Sequence, residues 1–283
     1  MIVIARLTVR ELVRRRVVWL LAGLTIVSVA LVAFGVERLV TLAREEGLPE
    51  LEIRVGVSQV LILIAFMFSF VLAMTAAFLG APAIGGDVES GVALALLARP
   101  LRRIDLLLGR WLGLALVVVA YAVASGALAI GVVTVISGFG PPKPILALAF
   151  LAAQALVLMT LTLALGSVLP AIGAGAVAVV AFGIGWMAGV MAAVAAAFDL
   201  QSLAGAADAS RWLFPSDGLW RGVVFGLEPP AAALLATGRS PEGLAANPFF
   251  ALQPPVPAFV IWSGIWIAVV LGLAGWRFTR RDL

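Results

Sequence analysis

The chain has no cysteine and no histidine, a single lysine and a single tyrosine, and only 12% of its 283 residues are charged. Without cysteine there is no disulfide framework, no thiolate metal site and no cysteine nucleophile, and without histidine the commonest general base and metal ligand is missing. Most enzyme classes are thereby excluded, and the chain is read as a non-enzyme with no cofactor or metal of its own. A phosphate-binding loop needs a glycine-rich turn closed by Lys-Ser or Lys-Thr, whereas the one lysine, Lys143, stands between prolines. The chain cannot hydrolyse ATP, so any ATP-driven work needs a second polypeptide.

What is abundant is apolar sequence, at 63% of residues, too much for the polar surface of a soluble protein this size to cover. Six runs approach or exceed the roughly 20 apolar residues that a spanning helix needs. They cover residues 17 to 36, 57 to 84, 111 to 136, 145 to 169, 176 to 198 and 258 to 276, and none holds a charged residue. The expected fold is all-α, a polytopic membrane protein with six transmembrane helices in one membrane domain over residues 1 to 283. The first run starts too late and is too long for a cleaved signal, and reads as a retained signal anchor. Arg and Lys divide twelve against seven between the two sets of connections, the larger share on the side that holds both ends. Both ends are therefore expected in the cytoplasm. The sequence pI of about 10.9 reflects arginines placed beside spans, which suits anionic lipid and argues against nucleic acid.

Residues 2 to 16 put Ile2, Ala5, Val9 and Leu12 on one helical stripe and Arg6, Arg10 and Arg14 four apart on an adjacent face, with Ile4 and Leu7 on the polar side. The segment reads as an interfacial helix on lipid, or simply as a basic topological anchor. Residues 37 to 56 read as a short solvated connection, and the Gly/Pro-rich stretch Ser137 to Pro144 and the segment 169 to 175 around Pro170 as turns. The one long segment on the arginine-poor side, residues 199 to 257, is cut by prolines yet carries Trp212, Phe214, Trp220 and Phe225. A helix over 217 to 227, N-capped by Ser216 or Asp217, is expected there, lying in the interface, re-entering the protein or anchoring it by its tryptophans. Small residues at 181, 185, 189, 193 and 197, and at 264, 268 and 272, read as close helix contacts. The polar candidates of the spans are Gln154, Ser69, Thr75, Thr160, Thr162 and Ser263, of which the Ser and Thr are expected mostly to bond carbonyls of their own helices.

The excursion from Gly85 to Arg110 is more specific. Asp87 and Glu89 open a helix that should end before Pro100, while Leu94, Leu96, Leu97 and Leu101 give it an apolar surface outside the bilayer. Such a helix suits a partner protein or its own bundle equally. The order Asp87, Glu89, Gly91, Leu97, Pro100, Arg103, Gly109 and Arg110 resembles the segment after the second span of ABC-2 type permeases, including the group linked to multi-copper enzyme maturation. Asp87, Val92 and Arg110 stand where that family commonly has Glu, Thr and Lys.

The resemblance implies an exporter subunit in the cytoplasmic (inner) membrane of a prokaryote. It implies two copies of an ABC ATP-binding subunit that bind ATP and Mg, and a second permease copy, identical or different. Residues 87 to 98 would be a coupling helix, with Asp87, Val88, Glu89, Gly91, Leu94, Leu97, Pro100, Arg102 and Arg103 at the ATPase interface or its lipid-facing exit. An extracytoplasmic accessory protein would meet residues 199 to 257. The alternatives are a channel-forming or scramblase-like bundle, a docking platform, and a lipid-acting enzyme built on Asp208, Asp217 and Glu228.

Overall fold

The computed structural model describes residues 1–14, 16–86, 102–198, 200, 205, 209–235, 247–251 and 253–280. Among these the secondary structure is helical, and six helices are long and apolar enough to cross a membrane: Val18–Glu45, Glu50–Ala83, Arg103–Ser137, Pro144–Gly166, Ala171–Ala192 and Pro257–Arg280. In chain order the elements are α1 (Ile2–Arg14), α2 (Arg16–Glu45), α3 (Glu50–Gly80, continued by a 3-10 turn at Ala81–Ala83) and α4 (Arg103–Ser137). They continue with α5 (Pro144–Gly166), α6 (Ala171–Ala197), α7 (Ser216–Leu227), the single turn α8 (Ala232–Leu235) and α9 (Pro257–Arg280).

The connections are shorter than apolar runs alone suggest. Residues 37 to 56, read as a solvated loop, are mostly helix, leaving only Glu46 to Pro49 between α2 and α3. Charged residues end a hydrophobic run without ending a helix, because Glu, Arg and Lys are good helix formers in water. Val36, Val40 and Ala43 continue a buried stripe along α2, and Ile53 and Val57 continue one along α3. The chain stops where glycine allows it, at Gly47 with φ 71°. Similarly, α6 starts directly after Pro170 instead of near residue 176, since proline with its fixed φ suits the entrance of a helix. The turn before α5 is a true breaker: α4 ends at Ser137, Gly138 takes φ 77°, and Pro144 begins α5.

Helix α5 is the hub, packing against α3, α4, α6, α7 and α9. Accordingly 61% of its most apolar window is buried, against 11% for α2 at the periphery. Outward faces are apolar as well, with Trp19, Val135 and Ile172 among the exposed side chains, as a lipid solvent requires. Polar pins hold neighbouring helices in register. The Thr25 and Tyr121 hydroxyls join α2 to α4 at 2.6 Å, and the Trp111 Nε1–H donates to Thr160 Oγ1 at 2.9 Å between α4 and α5.

Candidate functional site

At the arginine-rich end, α1 lies across the start of α4. A Cβ at Gly109 would fall 2.6 Å from Ile4 Cβ, and one at Gly113 would fall 2.7 Å from the Ala5 carbonyl oxygen. Two glycines four apart thus form a saddle that lets the helices approach to near contact. The saddle also resets the face of α1. Ile4 and the buried Thr8 and Leu12 point inward, whereas Ile2 is exposed, so the stripe expected through Ile2 is rotated. Arg6, Arg10 and Arg14 are exposed, as lipid or solvent contact requires. Arg110 Nη1 donates to Glu11 Oε2 at 2.6 Å, closing the crossing. Arg103, in the first turn of α4, donates to the Phe278 and Thr279 carbonyls at 3.4 and 3.3 Å, supplying the end of α9 with a cationic donor. Arg102 precedes it in extended conformation as the N-cap residue. On the other flank, a Cβ at Gly85 would meet the Gly166 carbonyl oxygen at 3.2 Å and the Ala171 nitrogen at 3.3 Å. Asp87, Val88, Glu89, Gly91, Leu94, Leu97 and Pro100 lie outside the described residues.

At the opposite end the chain descends into the bundle and climbs out again. Trp212 packs on Phe259 and Trp262 near the start of α9, with ring centroids 5.8 and 6.1 Å apart. Trp262 Nε1–H donates to the Trp212 carbonyl and, one turn deeper, Trp266 Nε1–H donates to the Leu213 carbonyl, both at 2.8 Å. Phe214 meets Trp266 edge-on at 5.9 Å. Gln154, ten residues into α5 and so about 15 Å from its start, donates through Nε2 to the Ser216 carbonyl at 3.2 Å and accepts from Ser69 Oγ at 2.7 Å. Helix α7 then rises along α5, where a Cβ at Gly222 would strike Phe150 and one at Gly226 would fall 2.7 Å from the Ala147 nitrogen. Lys143 N–H donates to the Gly226 carbonyl at 3.1 Å, and Lys143 Nζ sits 3.9 Å over the Phe225 ring. Irregular backbone at bilayer depth survives only when its carbonyls find donors, and Trp262, Trp266 and Gln154 are those donors.

The helix expected over 217 to 227 is present but starts at Ser216 with Pro215 as its N-cap and no side-chain cap bond. Asp217, 3% exposed, pairs instead with Arg211 at 3.0 Å and Arg221 at 3.6 Å. Gly189 of α6 makes room for it, since a Cβ there would collide with the Asp217 carboxylate, and Gly185 does the same for Ser216 and Phe214. Gly185 and Gly189 of the fifth span therefore face the re-entrant turn. In the sixth, Gly264 and Gly272 have nothing within 4 Å of a built Cβ and make no close helix contact within the described chain. Apolar runs without charge do not mean a bundle without charge, because α7 brings an ion cluster to the level of Gln154. Thr75, Thr160, Thr162 and Ser263 bond the carbonyls four residues back.

Further up α7, Trp220 is buried and its Nε1–H donates to the Pro248 carbonyl at 2.9 Å. Phe249 closes an aromatic box with Phe66 and Trp220, at 5.4 and 6.3 Å. Glu228, 4% exposed, accepts from the Ala251 N–H at 2.7 Å and from Gln59 Nε2 at 3.3 Å. Burial raises its carboxyl to about 7, and these two hydrogen bonds only partly oppose the shift. Asp217 and Glu228 stand at opposite ends of α7, about 16 Å apart along its axis, too far to share a catalytic step. Among the described residues no three carboxylates gather into a set that could hold a metal ion.

A crossing N-terminal helix, six spans and a re-entrant helix before the last form one integral plan. A family model described as ABC-2 family transporter protein matches residues 2–283. The chain belongs to this family. It is a multi-pass membrane protein and a permease component of an ABC transporter, a transporter membrane subunit and not a catalytic one. Permeases of this family work with an ATP-binding subunit. Comparison with individual curated proteins returns no match. Within the permease, sequence reasoning missed the carbonyl donors Trp262, Trp266 and Gln154. A tryptophan pair four apart and a lone glutamine in otherwise apolar helices were the available signals.

Proposed function

We propose that two copies of this permease, or this chain and a related one, sit on two ATP-binding subunits that hold ATP and Mg. In this reading the assembly is an exporter in the cytoplasmic membrane of a prokaryote, with both chain ends in the cytoplasm and an arginine-rich inner face. Residues 87 to 98 act as the coupling helix, with Asp87 and Glu89 facing basic groups of the ATPase. The observation that carries this reading is the tethering of both flanks of that segment. Gly85 abuts the α5–α6 turn, while Arg103, Gly109, Arg110 and Gly113 tie the head of α4 to α9 and α1. A force applied to residues 87 to 101 is thereby delivered to α1, α4, α5, α6 and α9 together, which is what rigid-body rocking of a bundle requires. Membership of the multi-copper enzyme maturation group, and an accessory protein docked on residues 199 to 257, belong to the same reading.

The test is co-purification with the ATPase encoded beside the permease. Wild type should retain the ATPase and stimulate its turnover. Glu89→Arg combined with Gly91→Trp should lose binding by like-charge contact and steric conflict. Unchanged binding and turnover in that variant, or no ATPase bound to wild type, overturns the coupling role.

A further inference from the structure

The end of α7 carries a group that transport coupling does not use. Glu228 ties together three stretches far apart in sequence: α7, which it terminates, α3 through Gln59, and the strap 247–251 through the Ala251 N–H. The strap lies over α7, held also by the Trp220–Pro248 hydrogen bond and the Phe66–Trp220–Phe249 box. Both donors to the carboxylate are neutral. The charged groups nearby are otherwise engaged: Arg54 of α3 lies 4.8 Å over the Phe139 ring, Lys143 before α5 covers Phe225, and Arg221 of α7 turns to Asp217. The strap itself contributes no charged side chain, and among the described residues no cation pairs with Glu228.

We propose that Glu228 is a proton-operated latch that holds the strap 247–251 over the re-entrant helix when neutral and releases it when ionised. A neutral carboxyl still accepts from the Ala251 N–H and from the Gln59 amide N–H, so the closed arrangement carries no buried charge. An ionised one leaves an unpaired charge in a site that is 4% exposed, and charge buried without a cation is expelled toward water. Because burial lifts the carboxyl from 4.5 to about 7, the latch contributes fully below about 4.5 and is lost as pH rises through about 7. With the topology proposed above, this end meets the extracytoplasmic solution. The latch itself does not depend on that topology and can be tested on the purified chain.

The chain has no cysteine, so Ala251→Cys gives a single thiol whose backbone N–H is retained. Its labelling by an uncharged maleimide is followed from pH 5.5 to 8.5, in detergent, with Glu228 and with Glu228→Gln. Dividing the two rates at each pH cancels the thiol's own titration. The ratio should stay near one at pH 5.5 and rise about tenfold or more by pH 8.5, with a midpoint near 7. A ratio that stays flat, or that falls as pH rises, overturns the latch. Gln59→Leu with Glu228 intact provides a second reading that does not need the glutamine variant to fold. Removing a donor to the ionised form should move the midpoint upward, and an unmoved midpoint also counts against the proposal.

Discussion

Replacing Gly113 by alanine adds one methyl group to α4, and two effects then compete. Alanine is the better helix former by about 1 kcal/mol, so in an unobstructed helix the change stabilises. Here the new carbon would lie 2.6 Å from Thr8 Cβ and 2.7 Å from the Ala5 carbonyl oxygen. Ordinary contacts begin near 3.5 Å, so α1 must retreat by about 1 Å. A backbone carbonyl cannot escape by changing rotamer. Overpacking of this kind costs about 1–3 kcal/mol, so the net effect should be a loss of about 1 kcal/mol and a thermal midpoint lower by a few degrees. Gly131 lies on the same helix with nothing within 4 Å of a built Cβ, and Gly131→Ala should be neutral or stabilising. The assay is thermal unfolding of both variants in detergent, joined to maleimide labelling of Thr8→Cys, a position 2% exposed in the parent. Labelling should rise in the Gly113 variant alone. If Gly113→Ala raises the midpoint as Gly131→Ala does, and Thr8→Cys stays protected, the saddle account of the α1–α4 crossing is wrong.

Three further outcomes are expected. Gln154→Leu removes the donor to the Ser216 carbonyl and the acceptor for Ser69, and should lower stability by about 1–3 kcal/mol, whereas Thr162→Val, which loses only a bond within its own helix, should cost less; paired melting curves decide. Asp217→Ala leaves Arg211 and Arg221 without their shared carboxylate and should cost about 2–4 kcal/mol, discounted from a fully buried pair because both guanidinium groups are partly exposed. Proteolysis at residues 199 to 215 would report the loosening as faster cleavage. Gly226→Ala drives a methyl group against the Ala147 backbone and should lift α7 from α5, read as faster labelling of a cysteine at Val224, which is fully buried in the parent.

The six spans were legible because hydropathy records the solvent an element faces, and lipid imposes the same requirement on every outward residue. Their lengths were not, because a charged residue leaves the bilayer without leaving the helix, as residues 37 to 45 of α2 show. The face of α1 was misjudged for a related reason. Ile4 packs on Gly109 and Thr8 on Gly113, each about a hundred residues away, and no local periodicity encodes that. A helix over 217 to 227 was expected from aromatic residues among prolines, with re-entry as one of several placements, and the donors that hold its descent sit on other helices. Gln154 drew attention as a polar residue, but its purpose lies in a carbonyl 62 residues further on. The small-residue stripe of the fifth span was read as a close helix contact, but at Gly185 and Gly189 the neighbour is the descending chain.

The three donors that hold the descending limb address main-chain oxygens. Tolerance to substitution should therefore be lopsided across each contact. Residues 212, 213 and 216 contribute to these bonds only an atom that every amino acid possesses, so their side chains are open to change as far as these bonds go. Trp262, Trp266 and Gln154 contribute an N–H that few side chains can replace at that reach. The permease thus stores part of the instructions for its inserted segment in the helices that receive it, which leaves the exposed Leu213 side chain freer to diverge than the tryptophan that holds its carbonyl.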